Sequence, residues 1–517
     1  MDKLTKFKEE IQKAYQFKGT SITLGAAILE QQCLEGVLIN LPLRTINRHG
    51  LIAGATGTGK TKTLQTVAEG LSEAGVPTLL MDIKGDLSGI AFPGVENDKV
   101  KERHQKIGIP FNAEKFPVEI LTISNEKGVQ LRATITEFGP VLFSKILGLN
   151  DTQSGLVSLI FKFCDDEGLP LLDLKDFKKV LQYISNQGKE KIEEAYGNIS
   201  TTSSATVLRK IIELEQQGAE LFFGERSFDV QDLVRHDPKG KGYISVLKLT
   251  DIQDKPKLFS TFMLSLLAEI YSTFPEIGDP EKPELVIFID EAHLIFEEAS
   301  KALLDQIETI IKLIRSKGVG IIFCTQNPSD VPSGVLGQLG CKIQHALRAF
   351  TANDRKMIRL TSENYPITEY YQVEELLTSL GIGEAAVTVL SEKGTPSPLV
   401  ATLLRSPRSR MGVISEEETS EILEGSELVS KYNKSIDRES AFEMLSDKIQ
   451  SKVSEDDNSS ASVEGKKGNS VKREKTTFEK VIESPLAKQI GKSIIQEISR
   501  GLLGVLGVKS TRSKRRY

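Results

Sequence analysis

Eight consecutive residues, Gly54-Ala55-Thr56-Gly57-Thr58-Gly59-Lys60-Thr61, carry the spacing G-x-x-x-x-G-K-[ST]. Glycines so placed let the backbone curl until successive N–H groups face one point. A helix that begins there adds the positive end of its dipole, and together they cradle phosphate. Lys60 then reaches the β- and γ-phosphates, and the Thr61 hydroxyl ligates Mg²⁺. The nucleotide-contacting set therefore runs from Gly54 to Lys62, the residue that opens the helix.

A second chemical element is Leu285-Val286-Ile287-Phe288-Ile289-Asp290-Glu291, an apolar strand that delivers acid at its carboxyl end. Asp290 is the expected Mg²⁺ ligand. Glu291 is placed to polarise a water for in-line attack on a γ-phosphate. A third is Cys324-Thr325-Gln326-Asn327-Pro328, where Gln326 at a strand tip would sense the γ-phosphate or position the water. Cleavage in ring assemblies also draws on an arginine supplied in trans. Arg315 (in Lys312-Leu313-Ile314-Arg315) and Arg348 (in His345-Ala346-Leu347-Arg348) are the two candidates; ordinary salt bridges would explain either, and spacing does not choose. Asp82, in Asp82-Ile83-Lys84-Gly85-Asp86, would either orient the metal's surroundings or cap its own turn. His293 completes the string Asp-Glu-Ala-His and reads as a packing or capping residue. Asn433-Lys434-Ser435-Ile436-Asp437 has one residue too many for a guanine-reading motif, so ATP is expected rather than GTP.

These residues need an open parallel sheet to hold them. Gly50–Ala53 reads as a short buried strand entering the glycine turn, and Lys62–Leu71 as the helix leaving it. Val76–Ile83 follows as the next strand, which makes a βαβ unit. Further apolar runs at Gly242–Leu249, Leu285–Ile289, Val319–Thr325 and Ile343–Leu347 lack alternation, as strands covered on both faces do. The fold class is α/β: a P-loop nucleoside triphosphatase sheet with an all-helical insertion and a C-terminal helical tail. Its divisions are residues 1–48 (a helix and short strands), 49–139 (first part of the core), 140–225 (helical insertion) and 226–405 (second part of the core), with Thr395-Pro396-Ser397-Pro398 and the Ser406-Pro407 turn marking the end of the compact core. Then come 406–449 (helical extension), 450–475 (a Ser-rich polar linker) and 476–517 (an amphipathic helix with a basic tail). In the insertion, Leu174, Phe177, Val180, Leu181 and Ile184 recur at helical spacing, as do Val207, Leu208, Ile211, Ile212 and Leu214; packing faces are the expected role.

Composition narrows the class further. The chain has 517 residues and a net charge of −5, so it is no general binder of polyanions; any DNA contact must come from local patches or a ring lumen. Loops around Lys99-Val100-Lys101-Glu102-Arg103 and Pro238-Lys239-Gly240-Lys241 are the candidates. The four cysteines form no C-x-x-C pair, which argues for a reducing compartment. A charged N-terminus and the lack of any long apolar run predict neither a signal peptide nor a spanning helix, and make the cytoplasm the expected location.

The stretch Asn47–Thr61 resembles the ATPase core of HerA/FtsK-type motors. Asp82-Ile83-Lys84-Gly85-Asp86-Leu87, Gly148–Gly155, Ile314–Gly320, Gln326-Asn327-Pro328 and Leu336–Gly340 are similar to one branch, the bacterial HerA-like family known as domain of unknown function 853. The resemblance covers roughly residues 20–405. It implies an additional-strand, catalytic-glutamate ATPase, hexameric, from a superfamily of DNA translocases. Lys60, Thr61, Asp290, Glu291 and Gln326 fall on that superfamily's functional positions. Archaeal HerA carries a β-barrel ahead of its P-loop. Here about 50 residues precede the loop, too few for the full barrel, which puts a nuclease partner recruited that way in doubt. Double-stranded DNA is the expected partner of such a ring. The alternative is an ATPase that remodels a protein assembly held by the helical insertion. The C-terminal helix would latch a neighbouring subunit or anchor to a membrane.

Overall fold

The computed structural model of the chain describes residues 2–296, 301–434, 436 and 438–460. Its β-branched and aliphatic runs form twelve strands: β1 (Ser21–Leu29), β2 (Gln32–Pro42), β3 (Gly50–Ala53), β4 (Thr78–Asp82), β5 (Val118–Thr122), β6 (Val129–Gln130), β7 (Ile244–Lys248), β8 (Leu285–Ile289), β9 (Val319–Thr325), β10 (Cys341–Gln344), β11 (Glu384–Thr388) and β12 (Val400–Leu404). They make one sheet in the order β2-β1-β12-β11-β10-β3-β9-β8-β4-β7-β5-β6. From β10 to β6 every neighbouring pair is parallel. Every residue of β3, β4, β8 and β9 is buried, as a parallel sheet covered on both faces requires. β9 lies between the strand that feeds the glycine turn and the strand that ends in Asp290.

The other four strands extend the sheet antiparallel beyond β10. β1 and β12 approach so closely that a Cβ on Gly25 would lie 1.9 Å from the Leu403 carbonyl oxygen. The first helix, α1 (Lys3–Ala14), is capped by Asp2 and buries Phe7 and Ile11. Just after it, the Tyr15 hydroxyl donates to the Val387 and Pro398 carbonyls at 3.0 and 2.8 Å. Two helices of the core follow: α2 (Lys60–Glu73), leaving the glycine turn, and α3 (Asp98–Ile107).

Several expectations are corrected. Lys99–Arg103 is no loop: Asn97 caps α3 at its start and Gly108 ends it in the left-handed region. The Arg103 guanidinium is committed to the Gly383, Leu404 and Ile382 carbonyls, each at 3.0 Å. Pro238–Lys241 precedes β7 and so lies at the amino ends of the strands, away from the glycine turn. There Lys241 pairs with Glu114 and sits 4.8 Å over the Phe116 ring. The proline-rich turns near 395–407 do not end the core. β12 follows the first of them, and after the second the buried Glu69 carboxylate of α2 accepts from the Arg408 and Ser409 amides at 2.8 and 3.0 Å. Leu428 and Tyr432 are buried too.

The described chain separates into two compact units. One holds Met1–Leu131 and Phe228–Lys434, including the whole sheet; the other holds Arg132–Ser227 and the helix Ala441–Ser460. The second unit is helical: α4 (Ile135–Ile146), α5 (Asp151–Glu167), α6 (Leu174–Ser185), α7 (Lys189–Tyr196) and α8 (Thr201–Gln216). Leu174, Phe177, Val180, Leu181 and Ile184 of α6 are all buried, and Phe177 packs 4.9 Å from Phe143 of α4. On α8, Val207, Ile211 and Leu214 turn inward, whereas Ile212 is 41% exposed. The helix Ala441–Ser460 runs into the stretch expected as a linker; near its start Leu445 is buried and Lys179 lies over the Phe442 ring. The rest of that linker and the amphipathic helix of 476–517 lie outside the described residues.

Candidate nucleotide site

The glycine turn sits at the carboxyl ends of the parallel strands, where ligands bind in open α/β sheets. Gly54, Gly57 and Gly59 have φ of +148°, +78° and +114°. Gly54 also has no room for a side chain, since a Cβ would lie 2.5 Å from the Cβ of His345. The loop is tied to its neighbours by backbone: the Ala55 amide donates to Ala346 O at 2.8 Å, and the Gly383 amide donates to Thr58 O at 2.9 Å. The Thr58 hydroxyl closes the turn on Ala55 O at 2.7 Å. Thr56 and Gly57 form the exposed crest; Thr61 and Lys62 are half-buried in the first turn of α2. Gly59 caps α2 without a side-chain bond, so the amides of that first turn remain available to an anion. Lys60 is buried, with its ammonium donating to Gly54 O at 2.7 Å and Ala55 O at 3.3 Å. Burial and the charge of Lys84 push its pKa down, while Glu291 and Asp290 push it up. The lysine of the turn and the acidic pair at the end of β8 therefore share one electrostatic neighbourhood.

Asp290 is 3% exposed, and its Oδ2 has no hydrogen-bond partner. Burial, reinforced by the Glu291 charge and opposed by that of Lys84, raises its pKa to about 6. Glu291 is buried in a left-handed conformation with φ +46°. For a non-glycine residue that costs about 1–3 kcal/mol, a strain that gathers at functional sites. The Lys84 ammonium pairs with Glu291 Oε1, and His293 Nδ1 lies 3.3 Å from Oε2. Gln326 follows β9 directly and is exposed; the carbonyl before it, Thr325 O, accepts from the Gly54 amide at 3.3 Å.

The two arginines fall on opposite ends of the sheet. Arg348 follows β10 on the side of the glycine turn, exposed, with Nη1 3.2 Å from Thr378 O. Arg315 precedes β9 at the amino ends of the strands, where it donates to Asp279 at 2.9 Å. Asp82 caps its own turn, accepting from the Gly85, Asp86 and Leu87 amides at 2.7, 3.1 and 3.1 Å. Burial raises it to about 7. Asn433 is spent on backbone, bonding to Gly128 O and the Gln130 amide at 2.9 Å each.

Sequence reasoning passed over three groups. Lys84 and Asp86, two and four residues past Asp82, reach the site because the Asp82 cap folds their loop beside β8. His345 supports the turn from below: its Nε2 lies 2.9 Å from the Thr63 hydroxyl, and burial, aided by the Lys60 charge, holds it neutral with a pKa of about 4. Only the acidic run after an apolar strand could have signalled the first two; nothing local marks the histidine.

An uncapped helix start, a buried lysine facing it and an orphaned carboxylate oxygen fit a triphosphate with its magnesium. Hydroxyl and carboxylate oxygens are the donors Mg²⁺ prefers, in company with substrate phosphates. A parallel sheet that presents such a turn beside an acidic strand end defines a P-loop ATPase. Within that class the chain belongs to the HerA-like C-terminal family: the family model described as "Helicase HerA-like C-terminal" matches residues 28–512. The DNA double-strand break repair helicase HerA of Sulfolobus acidocaldarius is 22% identical over 358 residues, 68% of this chain. The match spans 64% of that relative's length. HerA of Saccharolobus solfataricus is 22% identical over 399 residues, 73% of this chain and 68% of the relative. Among solved structures, the bacterial conjugative coupling protein TrwBdeltaN70 superposes with a TM-score of 0.52 at 15% identity, covering 79% of this chain and 94% of that one. The plasmid coupling protein TrwB in complex with ADP and Mg²⁺ gives 0.50 at 16%, covering 78% and 95%. Among the described residues no helix is long and apolar enough to cross a membrane.

Proposed function

We propose that this chain is an ATP-driven motor of the additional-strand, catalytic-glutamate type, assembled as a homohexameric ring that translocates double-stranded DNA. The observation that carries the reading is the convergence of Lys60 with Asp290 and Glu291 across the intervening strand β9. Residues Gly54 to Lys62 hold the triphosphate through loop amides and the Lys60 ammonium. Thr61 and Asp290 hold Mg²⁺, which supplies charge neutralisation to the β- and γ-phosphates. Glu291 takes the proton of the attacking water, and Gln326 orients that water from the adjacent strand tip.

An arginine that completes a neighbour's site must lie away from its own phosphates. Arg315 meets that condition and takes the trans role, whereas Arg348, on the rim of its own site, acts in cis. The names of the HerA relatives, DNA double-strand break repair helicases, support DNA as the track. The test is ATPase rate against linear duplex, single strands and no nucleic acid, with salt varied. Duplex stimulation that collapses as salt rises supports the reading, because phosphate contacts are salt-sensitive. Turnover indifferent to DNA would instead point to work on a protein assembly.

A further inference from the structure

The Lys84–Glu291 ion pair engages the one carboxylate that the proposed chemistry needs free. Lys84 lies in the loop after β4, and Glu291 follows β8, the strand hydrogen-bonded to β4. Three amides bonded to Asp82 fix the backbone of that loop, and Gly85 turns it at φ +77°. The loop thus delivers the ammonium to a set place, while the Lys84 side chain stays 38% exposed and able to move. The Glu291 side chain is 7% exposed, with Lys84 on one oxygen and His293 near the other. Burial lowers the Lys84 pKa, yet the bond to Glu291 and the charges of Asp290, Glu291 and Asp86 outweigh it, so the ammonium is held protonated.

We propose that Lys84 is a positioning residue that restrains Glu291 and sets the unstimulated rate of ATP hydrolysis. A carboxylate oxygen held against an ammonium is a weaker acceptor of a proton from water. The pair opens for only a fraction of the time, when the part-exposed Lys84 side chain turns to the nearby Asp86 carboxylate or to water. Once the pair opens, Glu291 takes a proton from the attacking water. The water oxygen bonds to the γ-phosphorus as the bond to the β–γ bridging oxygen breaks and ADP leaves. The inference rests on the reading of Glu291 as the base.

The experiment measures steady-state kcat and KM for ATP, with and without duplex DNA, for the full chain and for Lys84→Met, Lys84→Arg, Glu291→Gln and Lys84→Met/Glu291→Gln. Fluorescent-nucleotide affinity and thermal midpoint serve as folding controls. Lys84→Met raises the DNA-free kcat about fivefold, the scale of losing one partly exposed ion pair, with KM and nucleotide affinity within about twofold. The ratio of stimulated to unstimulated rate falls, and Lys84→Arg keeps the low rate. The double variant is no faster than Glu291→Gln, which shows that the gain passes through Glu291. A DNA-free kcat that falls or stays level in Lys84→Met overturns the inference, as does a double variant that outpaces Glu291→Gln. Wild-type turnover in Glu291→Gln removes the base assignment and this inference together. A wild-type chain indifferent to DNA sinks the choice of track alone, and the Lys84→Met rise still stands as support.

Discussion

Replacing Gly54 by alanine adds one methyl group at the point where the loop is tightest. Its φ of +148° disfavours any L residue, a cost of about 1–3 kcal/mol. The new Cβ would lie 2.5 Å from His345 Cβ and 3.1 Å from the backbone carbons of that residue. His345 has nowhere to withdraw: its amide donates to Ala53 O at 2.7 Å, its ring meets the Thr63 hydroxyl, and the next carbonyl holds the Ala55 amide. Relief must come from opening the β3–β10 edge or uncurling the loop, an overpacking cost of about 1–3 kcal/mol more. A combined penalty near 4 kcal/mol, taken up in the loop, weakens ATP binding by about 10²–10³-fold. Titration with a fluorescent ATP analogue reads that loss, and chemical unfolding reads any share passed to the fold. Gly155→Ala is the control: it lies on the exposed face of α5 with nothing within 4 Å of a built Cβ. It should gain about 0.5–1 kcal/mol of stability and leave binding alone. Wild-type affinity together with wild-type stability in Gly54→Ala would refute the reasoning.

Two further outcomes follow from the same geometry. His49 is buried and neutral, accepting from the Ile321 amide at Nδ1 and donating from Nε2 to Ile311 O; burial lowers its pKa from 6.5 to about 4. A depressed histidine contributes stability that is present above its unfolded value and lost as pH falls toward the folded one. The advantage of the wild type over His49→Gln should therefore shrink by about 3 kcal/mol between pH 6.5 and 4, at about 1.4 kcal/mol per unit. Comparing the two chains cancels the opposite contributions of Asp82 and Asp290, and a pH-independent difference in unfolding free energy would contradict the assignment. For Arg315, mixing inactive Arg315→Ala with inactive Glu291→Gln subunits should restore ATPase activity, since each intact site then receives a neighbour's arginine. No recovery from mixtures shown by mass to be heteromeric would remove Arg315 from the trans role.

Much of the parallel half was legible because its signals are local. The runs Leu285–Ile289 and Val319–Thr325 became β8 and β9 with those boundaries, and the glycine spacing located the turn. The antiparallel half was harder to read. β11 and β12 are five residues each, and what qualifies them is pairing with strands distant in the chain: β11 with β10 across a helical stretch, and β12 with β1 from the other end of the core. The prolines near 395–407 read as an ending, although the stretch beyond them is held by Glu69, whose apolar neighbours on α2 gave no hint of a buried carboxylate network. In the site, Lys84 was present in a recognised string, but its value comes from a partner more than two hundred residues later. Charge runs misled for the same reason: Arg103 and Lys241 look like free basic surface until their carbonyl and carboxylate partners are seen.

The central claim is that one magnesium triphosphate is gripped by the Lys60 turn and worked on by the Asp290–Glu291 pair. Single-turnover hydrolysis by Glu291→Gln, with ATP affinity measured on the same sample and Lys60→Ala beside it, tests this most directly. Glu291→Gln should bind ATP within about twofold of wild type yet cleave it at least about 10²-fold more slowly, and Lys60→Ala should fail to retain nucleotide. Undiminished cleavage by Glu291→Gln, or full nucleotide retention and turnover by Lys60→Ala, would contradict it.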